Sequence, residues 1–345
     1  MSLNSRNAWD LYFRSIGLRE ELIERHGTYA DRLLKAKLPI IFEWHHLAAL
    51  LGVSLEYVAS VTNASECHYR TFSIPKRAGG QRDIEAPRAA LKRCQRWILD
   101  NILSKVVVSA AAKGFVRRTS IKDHARAHIG SQVLLKMDFE NFFPSITKGR
   151  VISLFRSLGY SDSVSFYLAS FCCMREHMPQ GAPTSPAISN IMCRRFDLRL
   201  SKLCGSRGWR YTRYADDLAI SGKDVFFAAT RIVSKIAEDE GFSINNDKTK
   251  MYSGSGRKIL TGLVLGEEKL SVTRSYRRSV SQQSHYVAKY GLISHVSKTR
   301  KRDPLLLDSL LGKVGFWLFV DPDDDRAKRI KLSLEKMRGK SEHNG

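Results

Sequence analysis

The segment WRYTRYADDLAISG, residues 209–222, alternates apolar and polar positions and sets two carboxylates, Asp216 and Asp217, side by side in its middle. Successive strand residues face opposite ways, so both acids can address one site only if the chain turns between or beside them. The segment is therefore read as a β-hairpin bent at the two acids. Taken alone the pair decides little, because Asp-Asp is common in turns, where short side chains accept bonds from nearby backbone N–H groups. The surrounding segments carry the argument.

The apolar run in VLLKMDFENFFPSI, residues 133–146, has strand length and ends at Asp138. A sheet with that strand beside the hairpin would collect three acids. Three carboxylates at close range repel and raise one another's pKa unless a cation is present. Hard ions such as Mg²⁺ take oxygen ligands and keep positions for substrate phosphates. Two of them about 3.5–4 Å apart can activate an attacking hydroxyl and stabilise the leaving oxygen of a phosphoryl transfer. The pattern suits nucleotidyl transfer, with Asp216 and Asp217 in unequal roles: one a ligand of both ions, the other a looser contributor.

The flanking segments supply a scaffold. Residues 1–65 carry apolar side chains at helical spacing, with Ser54 placed to cap a helix. YRTFSIPKRAGGQRDIEAP reads as a hairpin around Gly79-Gly80, with Lys76, Arg77 and Arg82 at its tip. A helix follows in RAALKRCQRWILDNIL, with Leu91, Cys94, Trp97, Ile98 and Ile102 on one face. Pro179, Gly181 and Pro183 enforce a loop before a helix over residues 187–203, with Pro186 in its first turn and Ser185 as its cap. A helix over 225–240, a hairpin in KILTGLVLGEEKLSV turning near Gly266-Glu267, and basic helices from Ser275 onward follow.

Charge narrows the partner. The 345 residues, enough for two or three packed units, hold 57 Lys and Arg against 34 Asp and Glu, a net charge of +23. The excess sits in two blocks: 14 basic against 4 acidic residues over 70–130, and 16 against 8 over 273–345. That predicts a polyanionic partner. Nucleic acid is favoured over a membrane, since no basic amphipathic helix shows an exposed Trp/Phe/Leu face. The absence of an 18-residue apolar run and of a signal-like N-terminus predicts a cytoplasmic protein. Six cysteines without a C-x-x-C pair predict reduced, mostly buried thiols.

Taken in order, FSIPKRAGGQRDI, KMDFENFF, MPQGAPTSPAISN, YADD and LTGLVL resemble the blocks of the reverse transcriptases, and among them the bacterial retron enzymes. The resemblance runs from about residue 38 to residue 322. It implies an α+β right-hand polymerase: a helical N-terminal region (1–65), fingers and an antiparallel-sheet palm (66–272), and a basic helical thumb (273–345). It implies that Asp138, Asp216 and Asp217, with the backbone carbonyl of Phe139, hold two Mg²⁺ ions. Phe142 falls where the family has an aromatic gate against a ribose 2′-OH. Lys76, Arg82 and Gln180 fall in the pocket for the incoming dNTP, and Arg77 is either a nucleic-acid contact or a solvated turn residue. Leu260 stands where the family's V-T-G block has Val.

Retron enzymes commonly carry N-A-x-x-H; here residues 124–128 read His-Ala-Arg-Ala-His, so His128 matches and His124 replaces Asn. A zinc pair, a structural helix and an RNA contact are the readings. On the last, His124 and His128 join Arg274, Arg277 and Arg278 in the nucleic-acid interface. The resemblance further implies a structured non-coding RNA (msr-msd) copied into DNA from an internal guanosine 2′-OH. The branched product, msDNA, stays with the enzyme, and an effector protein joins it in anti-phage defence, with higher-order assembly left open. Alternatives are a group II intron-like or diversity-generating enzyme, or an RNA/DNA-binding scaffold that restrains a toxin.

Overall fold

The structure, a computed structural model, describes residues 5–75, 79–254, 256–299 and 305–342. Lys76 and Arg77 lie outside the described residues.

Four helices lead: α1 (Arg6–Ser15), α2 (Glu20–Lys35), α3 (Trp44–Leu51) and α4 (Leu55–Asn63). Ser54 caps α4 as its sequence position suggests, its Oγ accepting the Tyr57 N–H at 3.2 Å. β1 (Tyr69–Pro75) and β2 (Gln81–Pro87) pair antiparallel, Tyr69 opposite Pro87 and Pro75 opposite Gln81. Then come α5 (Ala89–Asn101), α6 (Ile121–Arg126), β3 (Val133–Asp138), α7 (Lys148–Ser157) and α8 (Asp162–Cys172). α9 (Ser185–Met192) and α10 (Arg194–Ser206) precede β4 (Arg210–Tyr214), β5 (Asp217–Gly222) and α11 (Ala229–Asp239). Four short strands follow: β6 (Lys250–Tyr252), β7 (Lys258–Leu260), β8 (Leu263–Leu265) and β9 (Leu270–Val272). α12 (Arg274–Thr299), α13 (Leu306–Val320) and α14 (Asp325–Glu342) end the chain. The class is α+β, as expected.

The chain forms two compact units. The first comprises Met1–Val116, Asp138–Lys202 and Thr230–Asn245. Here α5 buries Leu91, Cys94 and Ile98, while Trp97 is only half-buried and Gln95 takes the place expected of an apolar residue. The Gln95 amide donates to the Tyr69 hydroxyl and to the Phe171 carbonyl, each at 2.8 Å, so burial leaves its donors satisfied. Phe139, Phe142, Phe196 and Phe242 form an aromatic core. Arg150 lies over the Phe242 ring at 4.5 Å and donates to the carbonyls of Glu240 and Gly241 at 2.8 Å. Those bonds satisfy acceptors that the end of α11 would otherwise leave open.

The second unit comprises Arg117–Met137, Leu203–Ala229 and Asn246–Gly345. Its larger sheet has the order β4-β5-β3-β6, and β7-β8-β9 form a separate meander. One continuous core takes in Leu134, Ala219, Leu260, Leu263, Val314 and Trp317.

Three local expectations need correction. The helix over 187–203 divides at Cys193, although the Cys193 N–H still reaches Ser189 O and the Asp197 N–H reaches Cys193 O, so the ladder continues through the break. Ser185 is the first helical residue rather than the cap; its hydroxyl donates to the Pro179 carbonyl at 2.7 Å and ties down the preceding loop. LTGLVL is two strands, not one. Thr261 (φ +46°) and Gly262 (φ +84°) form a two-residue turn that sets Leu260 opposite Leu263. Paired positive φ values match the twist of a tight hairpin, but Thr is β-branched and reads locally as strand, which hides the turn. All six cysteines are free, and only Cys67 is exposed. Among the described residues no helix is long and apolar enough to cross a membrane.

Candidate active site

In the hairpin of β4 and β5, Tyr214 pairs with Asp217, leaving Ala215 and Asp216 as a two-residue loop. Ala215 has φ +56°. Tight hairpins favour a positive φ at that position, but a side chain there costs about 1 kcal/mol or more. The turn is braced from within: fully buried Arg213 donates from its guanidinium to the Ala215 carbonyl at 2.9 Å. Asp216 thus sits in the loop and Asp217 begins β5, where the Lys136 Nζ on β3 is 3.6 Å from its Oδ1.

β3 is the hydrogen-bonded neighbour of β5, and its last residue is Asp138. The Asp138 side chain belongs to a residue only 8% exposed, and its carbonyl accepts the Asn245 N–H at 2.8 Å. Phe139, next in sequence, is buried, and among the described residues its carbonyl accepts no hydrogen bond. No three His, Cys, Asp or Glu side chains among the described residues are grouped so as to hold an ion by themselves.

The loop expected to meet the nucleotide is fastened to β2. The Gln180 carbonyl accepts the Glu85 N–H at 2.9 Å, and His177 Nε2 lies 3.2 Å from both Glu85 carboxylate oxygens. Gly181, with φ +136°, approaches β2 so closely that a Cβ would stand 3.0 Å from the Glu85 carbonyl; only glycine fits. Arg82 is exposed on β2 opposite Ile74. Glu85 and His177 escaped the sequence reading because neither belongs to a motif of its own.

Phe142 needs correction. It is 4% exposed and stacks on Phe139 at 5.2 Å with Phe242 at 5.9 Å. Buried on that scale, it is a core ring, and it presents little surface to a substrate. Phe143 beside it is half-buried, with Phe115 as a ring neighbour at 6.3 Å.

The histidine pair is also corrected. His124 and His128 are both 0% exposed, so neither side chain is available to RNA. His128 Nδ1 meets Ser221 Oγ and its Nε2 meets Thr212 Oγ1, each at 2.7 Å; Thr212 Oγ1 also meets His124 Nδ1 at 2.7 Å. Ser131 Oγ joins Ser221 at 2.9 Å. This chain pins α6 and the segment after it onto the inner faces of β4 and β5. With both ring nitrogens of His128 matched to hydroxyls, the structural reading stands over zinc or RNA. Thr212 sits in β4 and Ser221 in β5, and only their burial reveals them.

Burial, with the nearby Arg210 charge second, pushes the His128 pKa down to about 3, so the ring stays neutral in the folded protein. The unfolded ring takes a proton near pH 6.5. His128 therefore leaves stability intact above pH 6.5 and erodes it as pH falls from there toward 3, by about 2 kcal/mol at pH 5. Denaturant midpoints at pH 7.5 and 5.0 should show that drop in the wild type and a smaller one in His128→Gln; equal drops would refute the assignment.

Arg274, Arg277 and Arg278 do converge. With Arg326 they line a 610 Å³ cavity of the second unit. Its one acid, Asp324, already accepts from the Trp317 Nε1 and the Ala327 N–H, each at 3.0 Å.

A hairpin carrying adjacent carboxylates, next in its sheet to a strand ending in a third, is the palm arrangement of a template-directed nucleic-acid polymerase. Residues 74–301 match the family of reverse transcriptases (RNA-dependent DNA polymerases). The chain is 33% identical over 317 residues to the retron Ec86 reverse transcriptase of Escherichia coli, covering 90% of this chain and 95% of that protein. It is 36% identical to the retron Mx65 enzyme of Myxococcus xanthus, over 75% of this chain and 66% of that one, and 35% identical to the retron Mx162 enzyme, over 77% and 60%. Among solved structures it is similar to telomerase from Candida albicans, with 12% identity, a TM-score of 0.46 and coverage of 78% of this chain and 63% of that one. The chain belongs to the reverse transcriptase family and, within it, to the retron enzymes. It is an RNA-directed DNA polymerase.

Proposed function

We propose that the enzyme copies part of a structured non-coding RNA into DNA, starting from an internal guanosine 2′-OH of that RNA, and that the branched msDNA stays bound to it. The observation that carries the chemistry is the loop position of Asp216, held by Arg213, beside the strand that ends in Asp138. In this reading Asp138 and Asp216 are the metal-holding carboxylates, and Asp217, paired with Lys136, contributes less. The donors fit Mg²⁺: carboxylates and the open Phe139 carbonyl are hard oxygens. Mg²⁺ is commonly held by one or two carboxylates together with substrate phosphates, so a complete protein cage is not required. Two bound ions would supply activation of the primer hydroxyl and neutralisation of the leaving pyrophosphate.

The chain's own residues do the positioning. The loop at Gln180, fixed to β2, orients the nucleotide against the fingers hairpin, where Arg82 and Lys76 meet the triphosphate. Phe143, the more accessible ring, takes the gate role first assigned to Phe142. Residues 1–65 act as a helical leader, 66–272 as fingers and palm, and 273–345 as the thumb, whose arginines grip nucleic-acid phosphates. Binding is correspondingly salt-sensitive. Action in the cytoplasm with an effector protein, in defence against phage, completes the proposal. Nucleic acid extracted from the purified protein should contain a 2′,5′-linked RNA–DNA branch, detectable as a product that shortens on debranching. Linear DNA alone would rule out internal 2′-OH priming.

A further inference from the structure

The second unit holds a smaller cavity of 280 Å³, walled by α12 on one side and α14 on the other. Ser281, Ser284 and His285 face it from α12; Arg326, Arg329 and Ser333 face it from α14. Each set follows helical spacing, so each is a single stripe. The serines form the floor, 8% and 5% exposed, and neither Oγ has a hydrogen-bond partner. Helical serines ordinarily return their hydroxyl to the preceding turn or expose it to water. Two buried hydroxyls on one face beside the cavity are thus without a protein partner. The rim is cationic: Arg326 and Arg329 are exposed, and no carboxylate lines the space. Among the described residues neither arginine forms an ion pair.

A cavity furnished with hydroxyls, guanidinium groups and an imidazole, and with no acid, selects an anion rich in acceptors. A phosphoryl group offers three oxygens, and Arg donors meet them in forked pairs. We propose that the cavity between α12 and α14 is a discrete binding site for one phosphoryl group, with Ser281 and Ser284 as its floor and Arg326 and Arg329 as its clamp. Arg326 also lines the 610 Å³ arginine cavity, so the site continues a track of cations. The group has two sources, a backbone phosphate of bound nucleic acid or free phosphate. As a backbone-phosphate site it rests on the thumb role proposed for residues 273–345; as a free-phosphate site it does not.

Thermal unfolding of the full chain tests it, in inorganic phosphate against chloride at matched ionic strength. Phosphate at about 20 mM should raise the wild-type Tm by about 2 °C. The increment should vanish in Ser281→Ala/Ser284→Ala, whose Tm in chloride equals or exceeds the wild type's because two unsatisfied hydroxyls are gone. It should vanish as well in Arg329→Gln, a surface change that keeps the test available if the double variant misfolds. An equal increment in wild type and variants, or none in the wild type, overturns the site. A second arm reads the source: RNA hairpin affinity at least fivefold weaker in the serine variant assigns the backbone phosphate, and unchanged affinity alongside a lost increment assigns free phosphate.

Discussion

Asp216→Asn should lower single-nucleotide primer extension by about 10³-fold or more, the scale expected when a group stabilising transferred charge is removed. Asp138→Asn should match it. Asp217→Asn should lose less, about 10²-fold, because Lys136 at 3.6 Å already engages that carboxylate. The comparison is clean because Asn is nearly isosteric with Asp and equally at home in a turn, and the loop keeps its Arg213 brace. Single-turnover incorporation on a primed RNA template, with denaturant midpoints as control, gives the measurement. An Asp216→Asn enzyme within tenfold of wild type would remove that residue from the chemistry.

Phe142→Ala and Phe143→Ala should fail in different ways. Phe142 is a core ring, so its loss should cost about 3–5 kcal/mol of stability. Phe143 is half-buried, and its truncation should cost far less. If it is the gate, Phe143→Ala should relax deoxyribonucleotide selectivity by about 10²-fold, since a ribose 2′-OH is then refused by nothing of its own size. Competing dNTP and rNTP insertion measures this. Unchanged selectivity in Phe143→Ala, with relaxed selectivity in the more conservative Phe142→Leu, would return the role to Phe142.

Much of the scaffold is legible because its signals are local. The β1–β2 hairpin announces itself through Gly79-Gly80, α4 through Ser54, and β5 through alternation on either side of the turn. What escapes is whatever depends on the partner across the core. Thr261-Gly262 reads as strand because Thr is β-branched, and the turn is fixed by its neighbours in the meander. Phe142 and Phe143 are indistinguishable in a string of letters; which one is buried depends on Phe139 and Phe242. His124 and His128 look like ligands by spacing, and only the hydroxyls of Thr212 and Ser221, far along the chain, show otherwise. Lys76 and Arg77 lie outside the described residues, and their roles rest on the sequence resemblance.

Arg213 carries a permanent charge that no change of pH within the working range can remove. Lodged beneath the turn, its guanidinium gives the Ala215 carbonyl a donor that deprotonation never removes. The turn that carries Asp216 therefore keeps its brace at any pH at which the enzyme works.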